Sequence, residues 1–159
     1  MTALASRELV TYAIEPWRRY YPECEPLWLA HYAEFEPFHR NRLPFGPDVP
    51  MYEAADRAGQ LQILVARANG RMVGYCLVLC RRHPHYAMVC GFEDSYYVSP
   101  AFRRGWNGVR LIDRSVEALR ARGIKMVYFM TTEFNSIQRV YEWLGFERCD
   151  SVYCKWLGD

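Results

Sequence analysis

The chain has 159 residues, 51% of them hydrophobic and 24% charged, and a formal net charge of +2, the make-up of one soluble globular domain with a complete core. No apolar run reaches the ~20 residues that cross a bilayer, and the opening MTALASRE lacks the charged start and apolar stretch of a signal peptide, so the expected location is the cytoplasm, without membrane contact. A charge this small argues for no nucleic-acid partner by itself, and composition leaves a homodimer open.

Of the 20 basic residues, 18 are Arg, a bias that reads as genome composition or as a preference for bidentate anion contacts. Cys24, Cys76, Cys80, Cys90, Cys149 and Cys154 form no C-x-x-C pair and have no His at zinc-ligand spacing, so neither a disulfide framework nor a metal site is expected.

Glu8 to Ile14 reads as a first strand, ended by Pro16. From about Pro26 to Phe35, the recurrence of Leu27, Trp28, His31, Tyr32 and Phe35 predicts an amphipathic helix, stopped by Pro37. Residues 37–50 carry four prolines and one glycine without a period, and a connection this long reads as a binding loop or lid. A short helix follows at Met51 to Ala58, closed by Gly59. Leu61 to Ala68 is a strand, Asn69-Gly70 a hairpin turn and Arg71 to Cys80 the returning strand. Ala87 to Val98 is a third strand of this meander, stopped at Ser99-Pro100.

From Val109 to Arg122 the apolar residues Val109, Leu111, Ile112, Val116 and Leu119 face one way and the charged ones another, which predicts a helix capped by Gly123. Ile124 to Met130 reads as a buried strand, Asn135 to Leu144 as a helix closed by Gly145, and Phe146 to Trp156 as one or two last strands. The expected fold is a single α/β (α+β) domain over residues 1–159. Its mixed, mostly antiparallel sheet has about six to seven strands, flanked by about four helices.

The chemistry concentrates in Asp94 to Ile112. A strand ends at Val98-Ser-Pro, a loop holds Arg103-Arg104-Gly105-Trp106-Asn107-Gly108, and a long helix starts at once. Glycines there let backbone N–H groups approach an anion, and a helix N-terminus adds partial positive charge. Together they make a candidate pyrophosphate cradle, which is neither a P-loop nor a G-x-G-x-x-G fingerprint.

The same stretch resembles the GNAT superfamily of acetyl-CoA-dependent N-acetyltransferases, whose phosphate loop reads Q/R-x-x-G-x-G/A. Tyr96-Tyr97-Val98-Ser99-Pro100-Ala101-Phe102-Arg103 fits the family's lead-in, Arg103 takes the Q/R position and Gly108 the last one. Trp106 stands where a glycine is usual. A second block, Asn135 to Glu147, is similar to the family's run from Asn through Tyr to Leu-Gly-Phe-Glu, with Gln138 in place of an Ala. The resemblance covers roughly residues 60–157.

It implies a GNAT-like fold, with residues 61–159 as the CoA-binding half and 1–60 as the acceptor-side half. It also implies acetyl-CoA as co-substrate and direct transfer to a primary amine of a small molecule or peptide. Donor contacts would come from Tyr96, Tyr97, Val98, Arg103, Arg104, Gly105, Trp106, Asn107, Gly108, Val109 and Asn135, with a β-strand N–H near Tyr97 or Val98 for the oxyanion. Tyr141 would be the general acid. The base would be Glu93 or Asp94: an ungapped alignment selects Asp94, a one-residue bulge selects Glu93, and Glu93 is preferred for its reach.

No nucleophilic Cys is needed, since Cys90 and Cys154 have no identifiable activating partner. His83 and His85 read as loop residues, His31 as a helix packing residue and His39 as a substrate-site candidate. Residues 17–52 would wall the acceptor. Two other readings stay open: a weak or silent CoA-binding or protein-interaction module, prompted by Trp106, and an acyltransferase directed at nucleic acid, prompted by the arginines.

Overall fold

A computed structural model describes residues 9–35, 43–131 and 137–158. Its elements are β1 (Val10–Ile14), α1 (Trp17–Phe35), α2 (Val49–Arg57), β2 (Leu61–Ala68), β3 (Arg71–Arg82), β4 (Val89–Val98), a 3₁₀ turn (Pro100–Phe102), α3 (Asn107–Ala121), β5 (Val127–Tyr128) and α4 (Gln138–Trp143). The strands form one sheet in the order β1-β2-β3-β4-β5. The first four are antiparallel and β5 joins β4 in parallel.

The β2–β3 turn places Asn69 at φ 49° and Gly70 at φ 79°, the two positive values that a two-residue hairpin loop needs. Every residue of β2 is buried, because the sheet is covered on both faces. Trp17, Tyr20 and Trp28 from α1 pack with Ile63, Val65, Tyr75, Leu77 and Tyr97 on one face. Leu111 and Leu119 from α3 pack with Leu64, Cys76, Val78 and Val98 on the other. The alternation along β2 and β3 therefore sorts side chains into two cores rather than into core and solvent.

Three sequence expectations change. The first helix starts at Trp17 instead of near Pro26 and contains Pro22 and Pro26. Both prolines are exposed while Trp17, Tyr20, Cys24 and Trp28 are buried, so the lost N–H groups lie on the solvent side and the apolar stripe decides the conformation. Among the described residues there are five strands, not six or seven. Ile124–Met130 contracts to Val127–Tyr128, and Phe146 to Trp156 makes no strand. In that last segment Val152 and Tyr153 are 84% and 94% exposed, so its apolar residues find no second layer to hold an extended ladder in place. No helix among the described residues is long and apolar enough to cross a membrane. No group of three metal-ligating side chains occurs among them either.

Candidate active site

β4 and β5 are paired only at Gly91–Val127 and Phe92–Tyr128. Beyond Phe92 no ladder joins them among the described residues, and the sheet opens into a gap. Beside it lies a cleft of about 230 Å³ lined by Tyr96, Tyr97, Val98, Arg103, Gly105, Gly108, Val109, Ile137 and Val140. Thus the end of β4, the loop after it, the first turn of α3 and the α4 side all meet at one cavity. A Cβ on Gly108 would sit 2.6 Å from the Tyr96 Oη, so only glycine lets the α3 N-terminus come this close to β4. Gly105 has φ 83°, the left-handed turn that sends the chain into the helix.

The N-terminus of a 15-residue helix facing a glycine-lined cavity suits the diphosphate of CoA. The gap beyond Phe92 offers unladdered β4 backbone to an amide-bearing arm. The loop end of the cleft, lined by Gly105, Gly108 and Val109, is therefore suited to a phosphate group.

Within the loop the side chains divide the work. Asn107 accepts a hydrogen bond from Tyr12 at 3.1 Å and donates to the Phe102 carbonyl at 3.1 Å, which ties the loop to β1. Arg103 donates through Nε to the Val98 carbonyl at 2.8 Å. Its two terminal nitrogens fork onto Glu34 of α1, with Nη2 to Oε2 at 2.6 Å. That pair holds the Glu34 carboxyl below its usual range. Arg104 is exposed. Trp106 does not line the cleft: its ring leans on Trp143 at 5.2 Å, with the two side chains 56% and 65% exposed. Asn135, like His39, lies outside the described residues.

The two adjacent carboxylates are separated by a bulge. Leu77 pairs with Ser95 and Val78 with Glu93, so Asp94 is the extra residue. Asp94 turns to the α1–α2 face, where its Oδ2 accepts from the Tyr52 hydroxyl of α2 at 2.7 Å. Burial raises its pKa, and hydrogen bonds from Tyr52 and Ser95 oppose the rise.

Glu93 turns the other way. It is 7% exposed and accepts from the Met130 backbone N–H at 3.2 Å. Burial lifts its pKa to about 7, the Met130 hydrogen bond works against this, and Asp94 adds to it.

Tyr141 is buried at 8% exposure and donates to the Met130 carbonyl at 3.0 Å. Its ring packs against Phe129 and Phe146 at 5.9 and 5.3 Å, so the Leu-Gly-Phe turn after α4 buttresses it. Burial, and then the nearby Glu93, push its hydroxyl above the ordinary phenol range, which keeps it a proton donor at neutral pH.

Sequence reading missed Tyr52, Ile137 and the Met130 peptide. Tyr52 sits on a short helix without a motif, and a backbone peptide leaves no residue-type signal. Ile137 was detectable, being four residues before Tyr141 on the same helical face. His31 does pack, as expected: its Nδ1 lies 2.9 Å from the Tyr75 hydroxyl and its ring stacks on Tyr97 at 5.1 Å. Burial lowers its pKa to about 4, so it is neutral near pH 7. His83 belongs to a loop stack with Tyr86 at 4.4 Å.

The profile described as the Acetyltransferase (GNAT) family matches residues 9–146. No curated protein matches the sequence. Among solved structures, the ribosomal-protein-alanine N-acetyltransferase of Brucella melitensis biovar Abortus 2308 superposes with a TM-score of 0.74 at 20% identity, covering 95% of this chain and 99% of that one. The aminoglycoside N-acetyltransferase AAC(6')-Iy in complex with CoA gives 0.71 at 18% identity, covering 96% and 97%. A predicted acetyltransferase with acetyl-CoA from Clostridium acetobutylicum gives 0.67 at 14%, covering 94% and 97%. At such identities the likeness is one of fold.

Proposed function

We propose that this chain, which belongs to the GNAT family of acetyltransferases, moves an acetyl group from acetyl-CoA directly to a primary amine of a small-molecule or peptide acceptor. The observation that carries the reading is the opening between β4 and β5, with an anion-suited loop at one end and Asp94 and Tyr141 on its two sides. Two of the structurally similar proteins are N-acetyltransferases by name, which supports an amine acceptor.

Acetyl-CoA supplies an activated thioester. Gly105, Gly108, Val109 and the first N–H groups of α3 hold its phosphates. A β4 N–H near Tyr97 or Val98 faces the carbonyl oxygen as charge grows there.

An alkylammonium has a pKa of about 10.4, so the acceptor must lose a proton before it attacks. We assign that proton to Asp94, the carboxylate on the α1–α2 face, with Tyr52 fixing its orientation. Tyr141 protonates the departing thiolate: rotation about its ring–oxygen bond turns the O–H away from the Met130 carbonyl while the ring stays packed. Trp106, turned onto Trp143, leaves the cavity clear, which favours the active enzyme over a silent binding module.

Calorimetric titration with acetyl-CoA, CoA and dephospho-CoA tests the donor site. Thiol release in the presence of an amine panel then tests transfer. Micromolar donor binding with amine-dependent release is the expected result. No binding at millimolar CoA would remove the assignment.

A further inference from the structure

Glu93 has a buried carboxylate and no place in the reaction just described. Its partner gives it one. The Met130 backbone lies just past the last β4–β5 pair, where the strands part. It is held on both sides of its Cα: Glu93 Oε2 accepts from its N–H at 3.2 Å, and Tyr141 Oη donates to its carbonyl, in the next peptide unit, at 3.0 Å. The strand that parts from β4 is thus clipped back by a β4 side chain, across the gap that the ladder leaves. The carbonyl of the same residue is the seat of the Tyr141 hydroxyl.

We propose that Glu93 is a positioning residue: by gripping the Met130 amide it sets the width of the β4–β5 opening and the aim of the Tyr141 hydroxyl. This rests on the reading of Tyr141 as proton donor.

The geometry separates this role from that of a base. Val78, the cross-strand partner of Glu93, belongs to the α3 core, whereas the Asp94 carboxylate meets α2 on the opposite face. An acceptor amine entering by the α1–α2 side meets Asp94 first. A hydrogen-bond acceptor is all that the Met130 N–H demands, so a neutral amide can replace the carboxylate in the clip but could not take a proton from an amine. That difference makes the two roles experimentally distinct.

The test compares E93Q with E93A in steady-state transfer across pH, together with amide hydrogen exchange at Met130. Exchange at Leu64 and Leu77 checks that the sheet is intact. The expected result is that E93Q keeps kcat within threefold of the parent, keeps the acid limb of the pH profile and keeps Met130 protected. E93A is expected to lower kcat at least tenfold, leave the acceptor KM within threefold and exchange Met130 at least tenfold faster. Should E93A not fold, Glu93→Met fills the same space without an acceptor and replaces it.

Equal loss in E93Q and E93A with the acid limb gone would make Glu93 the proton carrier and overturn the proposal. Unaltered Met130 exchange in E93A would overturn it as well. A parent protein without transfer activity would instead defeat the proposed function, and the exchange measurement would still decide whether the clip exists.

Discussion

Gly108→Ala probes the donor site with a single methyl group, and its effect can be worked from the structure. The new Cβ would lie 2.6 Å from the Tyr96 Oη, and the next atom of that ring, Cζ, is at 3.9 Å. The conflict is therefore with one oxygen. Reaching an ordinary contact of 3.4 Å requires the hydroxyl or the α3 N-terminus to shift by about 0.8 Å. Overpacking of this kind costs roughly 1–3 kcal/mol, and replacing Gly by Ala in a helix returns about 0.5–1 kcal/mol. The net loss should be about 1–2 kcal/mol in urea unfolding.

In the Tyr96→Phe background the nearest remaining atom is in ordinary contact, so the same substitution should be neutral or slightly stabilising. A coupling of about 1–3 kcal/mol is expected in the double-mutant cycle. CoA affinity by calorimetry should fall about tenfold in Gly108→Ala, or ~1.4 kcal/mol, and recover partly in the double variant. An equal cost of Gly108→Ala in both backgrounds would show that Tyr96 does not set the closeness of loop and strand.

Tyr141→Phe should lower kcat at least tenfold with the donor KM nearly unchanged, because the packed ring stays and only the proton donor goes; steady-state thiol release reads both. Asp94→Asn should abolish the acid limb of the rate profile. Burial raises the pKa of Asp94, so activity of the parent should fall as pH drops through that raised value and the base becomes protonated. Glu93 makes a separate statement about stability. Its folded pKa of about 7 lies above the ordinary 4.5, so between these values the folded chain binds the extra proton and stability declines as pH rises. Glu93→Gln should flatten that slope by roughly 1–3 kcal/mol across the window, measured as urea midpoints from pH 4.5 to 8. Arg67→Ala should cost about 3–5 kcal/mol, since the buried Glu15, which now takes Nε at 2.7 Å and Nη2 at 2.8 Å, would keep just the exposed Arg19 at 3.4 Å as its ion pair among the described residues; a loss below 1 kcal/mol would refute it.

The meander and the main helix were legible because they carry strong local signals. Asn69-Gly70 specifies its turn, and Val109 to Leu119 repeats at helical period. The start of α1 was hidden because two prolines suggest a break, while what decides is the face they occupy. β5 was overread: Ile124 to Met130 looks like a strand, yet only Val127 and Tyr128 pair, and parting from β4 is what creates the opening. At the site, the grouping of Arg103, Gly105, Gly108 and Val109 around one cleft was legible from the loop motif. The choice between Glu93 and Asp94 was not, because it depends on a bulge at Asp94 and on the face each carboxylate meets, both properties of three-dimensional register. The bulge expected to favour Glu93 is present, and it is Asp94 that meets α2.

Arg103 ties three parts of the molecule together with one guanidinium: the end of β4 through Val98, the donor loop through its own backbone, and α1 through Glu34. If α1 walls the acceptor as the proposed function has it, the two substrates would not meet independent surfaces. Any tightening of the loop on one is felt as a pull on the wall of the other. Binding should then be ordered or synergistic, with the affinity of each substrate rising in the presence of its counterpart by the same factor. On that reading the arginine would work less as an anion ligand than as a tie rod between the end of β4 and α1.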